Sequence, residues 1–212
     1  MNQLSKISVI ILFSVIAVTQ AQAHVSTEQA AYKPWHLTAS IGMQSVQYAQ
    51  KGHGETAAGR LAFHYMPIRY LGLELGIQSG NTMRIIANKE TIDTLGGVGI
   101  EGQIKPIIDV LLTAQSPTLS PSFPLYASAK AGMAYRQLQM DRESLNDISQ
   151  TKPEFQVGLG YRLNPHLDIS VMYQYMVGAN PKIHADPLTE SGLVSHIPAQ
   201  QAVFLGLTYN LG

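Results

Sequence analysis

Between Pro153 and Val177 the chain reads PEFQVGLGYRLNPHLDISVMYQYMV, with apolar side chains at every second position. Phe155, Val157, Leu159, Tyr161 and Leu163 form one set, and Gln156, Gly158, Gly160 and Arg162 lie between them. After Asn164-Pro165-His166 the alternation resumes, with Leu167, Ile169, Val171, Tyr173 and Tyr175 against Asp168, Ser170, Met172 and Gln174. A period of two belongs to β-strands, and two such runs across a tight turn make an antiparallel hairpin. The apolar face carries no charge and ends in tyrosine and phenylalanine, while the other face mixes glycine, small polar residues and isolated charges. A tilted strand of roughly 9 to 11 residues spans a bilayer, and a closed barrel leaves no backbone group unpaired in lipid. The pattern therefore predicts a hairpin of a transmembrane β-barrel, apolar outside and polar inside.

The rest of the chain repeats the pattern. Leu37, Ala39, Ile41 and Met43 alternate with polar or small residues, as do Leu61, Phe63 and Tyr65, then Leu71, Leu73, Leu75 and Ile77. A fourth strand is expected from about Leu95 to Lys105, a fifth from Pro124 to Gln137, and a last one in QAVFLGLTYNLG. Residues 106–124 resist assignment: PIIDVLLTA is apolar without clean alternation, and QSPTLSPSFP holds prolines that forbid a central strand. That segment extends strand four, forms a short helix or folds under the barrel. The expected architecture is all-β, an eight-stranded antiparallel up-and-down transmembrane β-barrel over residues 35–212. Long polar connections, roughly 49–55, 79–93, 137–152 and 178–199, follow the odd-numbered strands, the loop asymmetry of outer-membrane barrels. No repeat of longer period and no second domain is visible.

Composition agrees. Charged residues are 13% of the 212, about half the usual share, and formal net charge is zero, which offers nucleic acid no attraction. The absence of cysteine excludes disulfides, thiolate zinc clusters and cysteine nucleophiles. Lys6, the apolar stretch Ile7 to Val18 and the A-x-A site Ala21-Gln22-Ala23 predict a signal peptide over 1–23, with 24–34 as an N-terminal segment of the mature chain. An export signal with alternating strands places the chain in a bacterial outer membrane, among lipid and lipopolysaccharide.

A soluble barrel of lipocalin type also alternates, but with apolar residues inward and charge outward. Here Arg60, Glu74, Glu101, Lys130, Arg162 and Asp168 share a glycine-rich polar face and include both signs. They are expected to form a lumen charge network. A lysine or arginine on the lipid face would cost roughly 2 to 4 kcal/mol at the midplane.

These strands resemble small outer-membrane barrels of the OmpA transmembrane-domain type. The likeness rests on the G-x-G-aromatic strand, the Asn-Pro turn and the following strand ending in Y-x-Y, close over Pro153 to Val177 and loose elsewhere. It implies a compact barrel acting as a structural component, a surface contact protein or a narrow pore, inserted by the barrel-assembly machinery. The chain departs from that family in having no peptidoglycan-binding domain after the barrel, and in ending Tyr-Asn-Leu-Gly rather than in an aromatic. Phe204, Tyr209 and Leu211 are therefore expected to carry the assembly signal.

No motif for chemistry stands out. Ser195-His196 with Glu190, and His184 with Asp186, lie in the last long loop without the arrangement a serine hydrolase needs. His184 with Asp186, or His24 at a mature N-terminus, offers too few ligands for a metal. The glycines near Leu95 to Gly102 lack the Lys-Ser or Lys-Thr of a phosphate loop. The expectation is a barrel with no catalytic role and no cofactor, whose outer loops supply any contact with a surface ligand. The lumen charges fit a plug or a gated passage, and lipid modification is the enzymatic rival.

Overall fold

A computed structural model describes residues 34–47, 54–85, 100–120, 123–141, 144–186 and 191–211. The expected signal peptide over 1–23 and the segment 24–33 lie outside these residues. Strands β1 (Trp35–Val46), β2 (Glu55–Ile68) and β3 (Leu71–Gln78) are followed by the short β4 (Asn81–Ile85) and β5 (Ile100–Ile104). Then come β6 (Ile107–Gln115), β7 (Leu125–Met140), β8 (Ile148–Asn164), β9 (Leu167–Met176), β10 (Ile183–Asp186), β11 (Ser191–Val194) and β12 (Gln200–Leu211). Eight of them, β1, β2, β3, β6, β7, β8, β9 and β12, pair in antiparallel order and close as β12 meets β1.

Alternation decides which way each side chain points. Ile41, Leu61, Leu112 and Leu205 are more than half exposed on the outer wall, whereas Thr38, Arg60, Glu74, Gln156 and Gln174 are buried inside. An apolar exterior around a polar interior is the reverse of a soluble barrel. Aromatic side chains gather where the wall meets the two interfaces, as in membrane barrels generally. At the end where β1 begins and β12 finishes, Trp35 packs on Phe63 at 5.2 Å and on Tyr65 at 4.3 Å between ring centroids, and Tyr209 is exposed nearby. Tyr135 and Tyr173 occupy the outer face toward the opposite end.

The fourth wall strand differs from the sequence expectation. It is β6, inside the unassigned segment, while Ile100–Ile104 forms a hairpin with β4 that leaves the ring and pairs with the tip of β7. Residues 95–99 lie outside the described part of the chain. In β6, Ile108, Val110 and Leu112 face outward and Ile107, Asp109, Leu111 and Thr113 inward. Because Ile107 and Leu111 are apolar as well, the period of two is hidden in the sequence. The outer connections are also more structured than expected: β7 and β8 run through part of 137–152, and β10 pairs with β11 inside 178–199.

Candidate functional site in the barrel lumen

The lumen is layered. Midway along it, Glu74 on β3 is fully buried and held by three basic side chains. Arg60 donates from Nη2 to Glu74 Oε1, while Oε2 meets Lys130 Nζ and, at 2.8 Å, His64 Nδ1. The same Arg60 nitrogen donates to Asp109 Oδ1 at 2.6 Å, joining β2, β3, β6 and β7 at one node. Gly76 is what admits this crossing, since a Cβ there would stand 2.6 Å from Asp109 Oδ1. Next to the node, Glu154 Oε1 accepts from Gln156 Nε2 at 2.6 Å and Gln174 Nε2 at 2.7 Å. Buried charges survive only when paired and hydrogen-bonded in this way.

Outward of the node lies a layer of glutamines. Gln44 Oε1 accepts from Gln78 at 2.8 Å and Gln200 at 2.7 Å, and Gln44 Nε2 donates to the Gly80 carbonyl at 2.8 Å. Arg136, fully buried, donates to the carbonyls of Pro198 at 2.8 Å and Val177 at 2.6 Å, tying the last outer connection across the barrel mouth. Beyond it, Val46, Met83, Ile104, Leu138, Met176 and Ile197 belong to one buried apolar cluster. The outer mouth is therefore roofed by hydrophobic packing.

Inward of the node the lumen mixes polar side chains with the buried Met66, Met172 and Phe204. Thr38, Ser40, Ser128, Asp168, Ser170 and Thr208 are among the residues lining a cavity of about 50 Å³, space for water and far below the roughly 300 Å³ at which small-molecule sites begin. Thr38 Oγ1 bonds to Thr208 Oγ1 at 2.7 Å and to His64 Nε2 at 3.0 Å. Tyr126 donates to Asp168 at 3.1 Å, and Arg162 meets the same carboxylate at 3.5 Å.

Of the residues expected in the charge network, Arg60, Glu74 and Lys130 meet at the node, and Arg162 and Asp168 form a separate pair at the inner mouth. Glu101 is corrected: it lies outside the lumen on β5, paired with Arg84 at 2.6 Å with both side chains part exposed, because β5 is not a wall strand. Sequence reading missed Asp109, His64 and Glu154. Asp109 was hidden in β6, but His64 and Glu154 continue the inward alternation of their strands and were findable from it. On β12, Tyr209 faces outward, whereas Phe204 points inward and is buried against Ala58 and Ala202.

For catalysis, Ser195 Oγ and His196 Nδ1 are 2.7 Å apart, but among the described residues no carboxylate is hydrogen-bonded to His196. Among the same residues no three metal-ligating side chains cluster.

The family described as outer membrane protein beta-barrel domain matches residues 9–191. No curated protein matches the chain in sequence. Similar solved structures include outer membrane protein OprG from Pseudomonas aeruginosa, with a TM-score of 0.56 and 14% identity over 85% of this chain and 98% of that one. Neisserial surface protein A gives 0.53 and 13% over 84% and 97%, and Escherichia coli outer membrane protein W gives 0.51 and 14% over 86% and 100%. At these identities the structures show the shared barrel fold alone. Family match, closed eight-strand ring and apolar outer wall agree: the chain belongs to the outer membrane protein β-barrel domain family and is a transmembrane barrel of the bacterial outer membrane.

Proposed function

We propose that this barrel is a non-enzymatic, non-conducting component of the outer membrane, serving as a structural element and presenting its ordered outer hairpins for surface contact. The observation that carries the reading is Glu74, fully buried and ligated by Arg60, Lys130 and His64, so that four side chains from three strands cross the lumen at one level. The glutamine layer and the apolar roof stand outward of that node, and an ion leaving the inner cavity would have to break all three. The exposed Arg84–Glu101 pair and the β10–β11 hairpin belong to the outer face available to a partner. Export begins with residues 1–23 as a cleaved signal peptide, and the barrel-assembly machinery reads the last strand through Phe204, Tyr209 and Leu211.

The test is single-channel recording of the refolded chain in planar bilayers, with the Glu74→Ala variant beside it. Silence from the wild type supports the closed reading, and discrete conductance steps overturn it in favour of a narrow pore. A mass shift in lipid A from cells expressing the protein would instead establish a lipid-modifying enzyme.

A further inference from the structure

The inner rim of the barrel stays apolar past the end of the wall. Three connections lie side by side there: β2–β3 through Arg69 and Tyr70, β6–β7 through residues 116–124, and β8–β9 through Pro165 and His166. The Gln115 amide donates to the Tyr70 carbonyl at 2.9 Å and the Arg162 amide to the Pro124 carbonyl at 3.1 Å, which joins the three into one edge. Each carries large apolar side chains in the open: Ile68 at the first, Leu119 and Phe123 in the second, Leu163 beside the third. Leu119 is 72% exposed.

Local geometry aims these side chains at the lipid side. The register of β2 against β3 shifts between Tyr65 and Ile68, and the extra residue turns Ile68 outward, opposite the exposed Leu71. Strict alternation from Tyr65 would have pointed Ile68 into the lumen. Phe123 continues the outward row of β7 and meets the Tyr161 ring edge-on at 5.9 Å between centroids. Leu119 is held in place, since its amide donates to the Leu125 carbonyl at 2.9 Å, and the next residue, Ser120, accepts at Oγ from the Phe123 amide at 3.0 Å. The apolar outer wall therefore runs on from the strands into the turns.

Charge narrows the partner. Residues 66–70, 115–124 and 162–166 contain two arginines and no acidic residue, in a chain with 14 basic and 14 acidic residues. Arg162 is engaged with Asp168. Arg69 is exposed, lies 6.0 Å over the Tyr70 ring and enters none of the salt bridges among the described residues. Apolar tips beside a guanidinium without a counter-charge fit the boundary of a bilayer, where acyl chains take the tips and a phosphate takes the cation. The tips follow the circumference from β2 round to β9 instead of forming one patch, which suits surrounding lipid and not a single docked protein. We infer that the inner connections sit in the periplasmic leaflet, with Ile68, Leu119 and Phe123 among the acyl chains just below the headgroups and Arg69 binding the headgroup of an anionic phospholipid. This holds whether or not the lumen conducts.

The experiment uses the full mature chain in phosphatidylcholine nanodiscs, which are open to solvent on both faces. Trp35 is the one tryptophan of the chain, so Trp35→Phe gives a dark background for the reporters Leu119→Trp, Phe123→Trp and Ile68→Trp, each checked for folding by heat-dependent gel mobility. Lipid brominated high on the acyl chain is expected to quench Leu119→Trp and Phe123→Trp, while iodide in the buffer reaches them poorly. Free access of iodide without quenching by brominated lipid places the turns in water and overturns the proposal. At the Ile68→Trp reporter, brominated phosphatidylglycerol is expected to bind about fivefold more tightly than brominated phosphatidylcholine, the contribution of one basic group at an anionic surface. Arg69→Gln is expected to abolish that preference and Arg69→Lys to keep most of it. Equal quenching by the two lipids with Arg69 in place, or a preference that survives in Arg69→Gln, overturns the headgroup site.

Discussion

The two ends of this barrel are built on different physical terms. At the inner end, the connections β2–β3 and β8–β9 are short turns, the lumen is lined by hydroxyls and a salt bridge, and a cavity of about 50 Å³ is left among them. At the outer end, β7, β8 and the small hairpins rise past the ring and bury Ile100, Ile104, Leu138, Met140, Val194 and Ile197 against one another. Lipid offers no hydrophobic drive for packing the outer wall, but water above the membrane does. The outer connections therefore fold as a small soluble core seated on a membrane barrel, and the charge node separates the two regimes.

Breaking the node should have the largest effect. Glu74→Gln leaves Arg60 and Lys130 buried without their shared counter-charge, and a loss of about 3 to 5 kcal/mol is expected in urea unfolding from lipid vesicles. A loss near zero would mean that water already screens the node and that the two halves of the lumen communicate. Leu138→Ala tests the roof: if the outer end is a true core, it should cost about 2 to 5 kcal/mol by cavity formation, although the residue lies beyond the ring. Faster cleavage of the outer connections by added protease would accompany it. Leu75→Arg probes the lipid wall between the ends, with an expected cost of roughly 2 to 4 kcal/mol and normal lumen contacts, read by the same unfolding titration. Smallest is Arg162→Ala at the inner mouth. Its side chain is 43% exposed and 3.5 Å from Asp168, so a change within about 1 kcal/mol is expected. A larger loss there would show that the inner cavity is drier than its exposure implies.

Strong alternation made most of the wall legible in advance. In β3 the inward residues are polar or small and the outward ones apolar, and most of β8, β9 and β12 keeps that pattern, with Met172, Met176 and Phe204 as buried apolar exceptions, so direction and register follow from residue type. β6 escaped because Ile107 and Leu111 are apolar on the inward face, and with it went Asp109. Glu101 was misplaced by the same failure, since alternation in IEGQI describes a hairpin above the membrane as well as a strand within it.

By itself, then, the sequence determined the class of the molecule: a period of two with an uncharged face over bilayer-length strands has one economical solution, a barrel turned inside out. Only the tertiary structure decided which inward charges meet, because Glu74 on β3 and Lys130 on β7 are far apart in the chain and approach only when the ring closes. It also decided that the outer connections pack into a roof and that β4 and β5 leave the ring between β3 and β6. Both depend on contacts between segments whose local patterns carry no record of their partners.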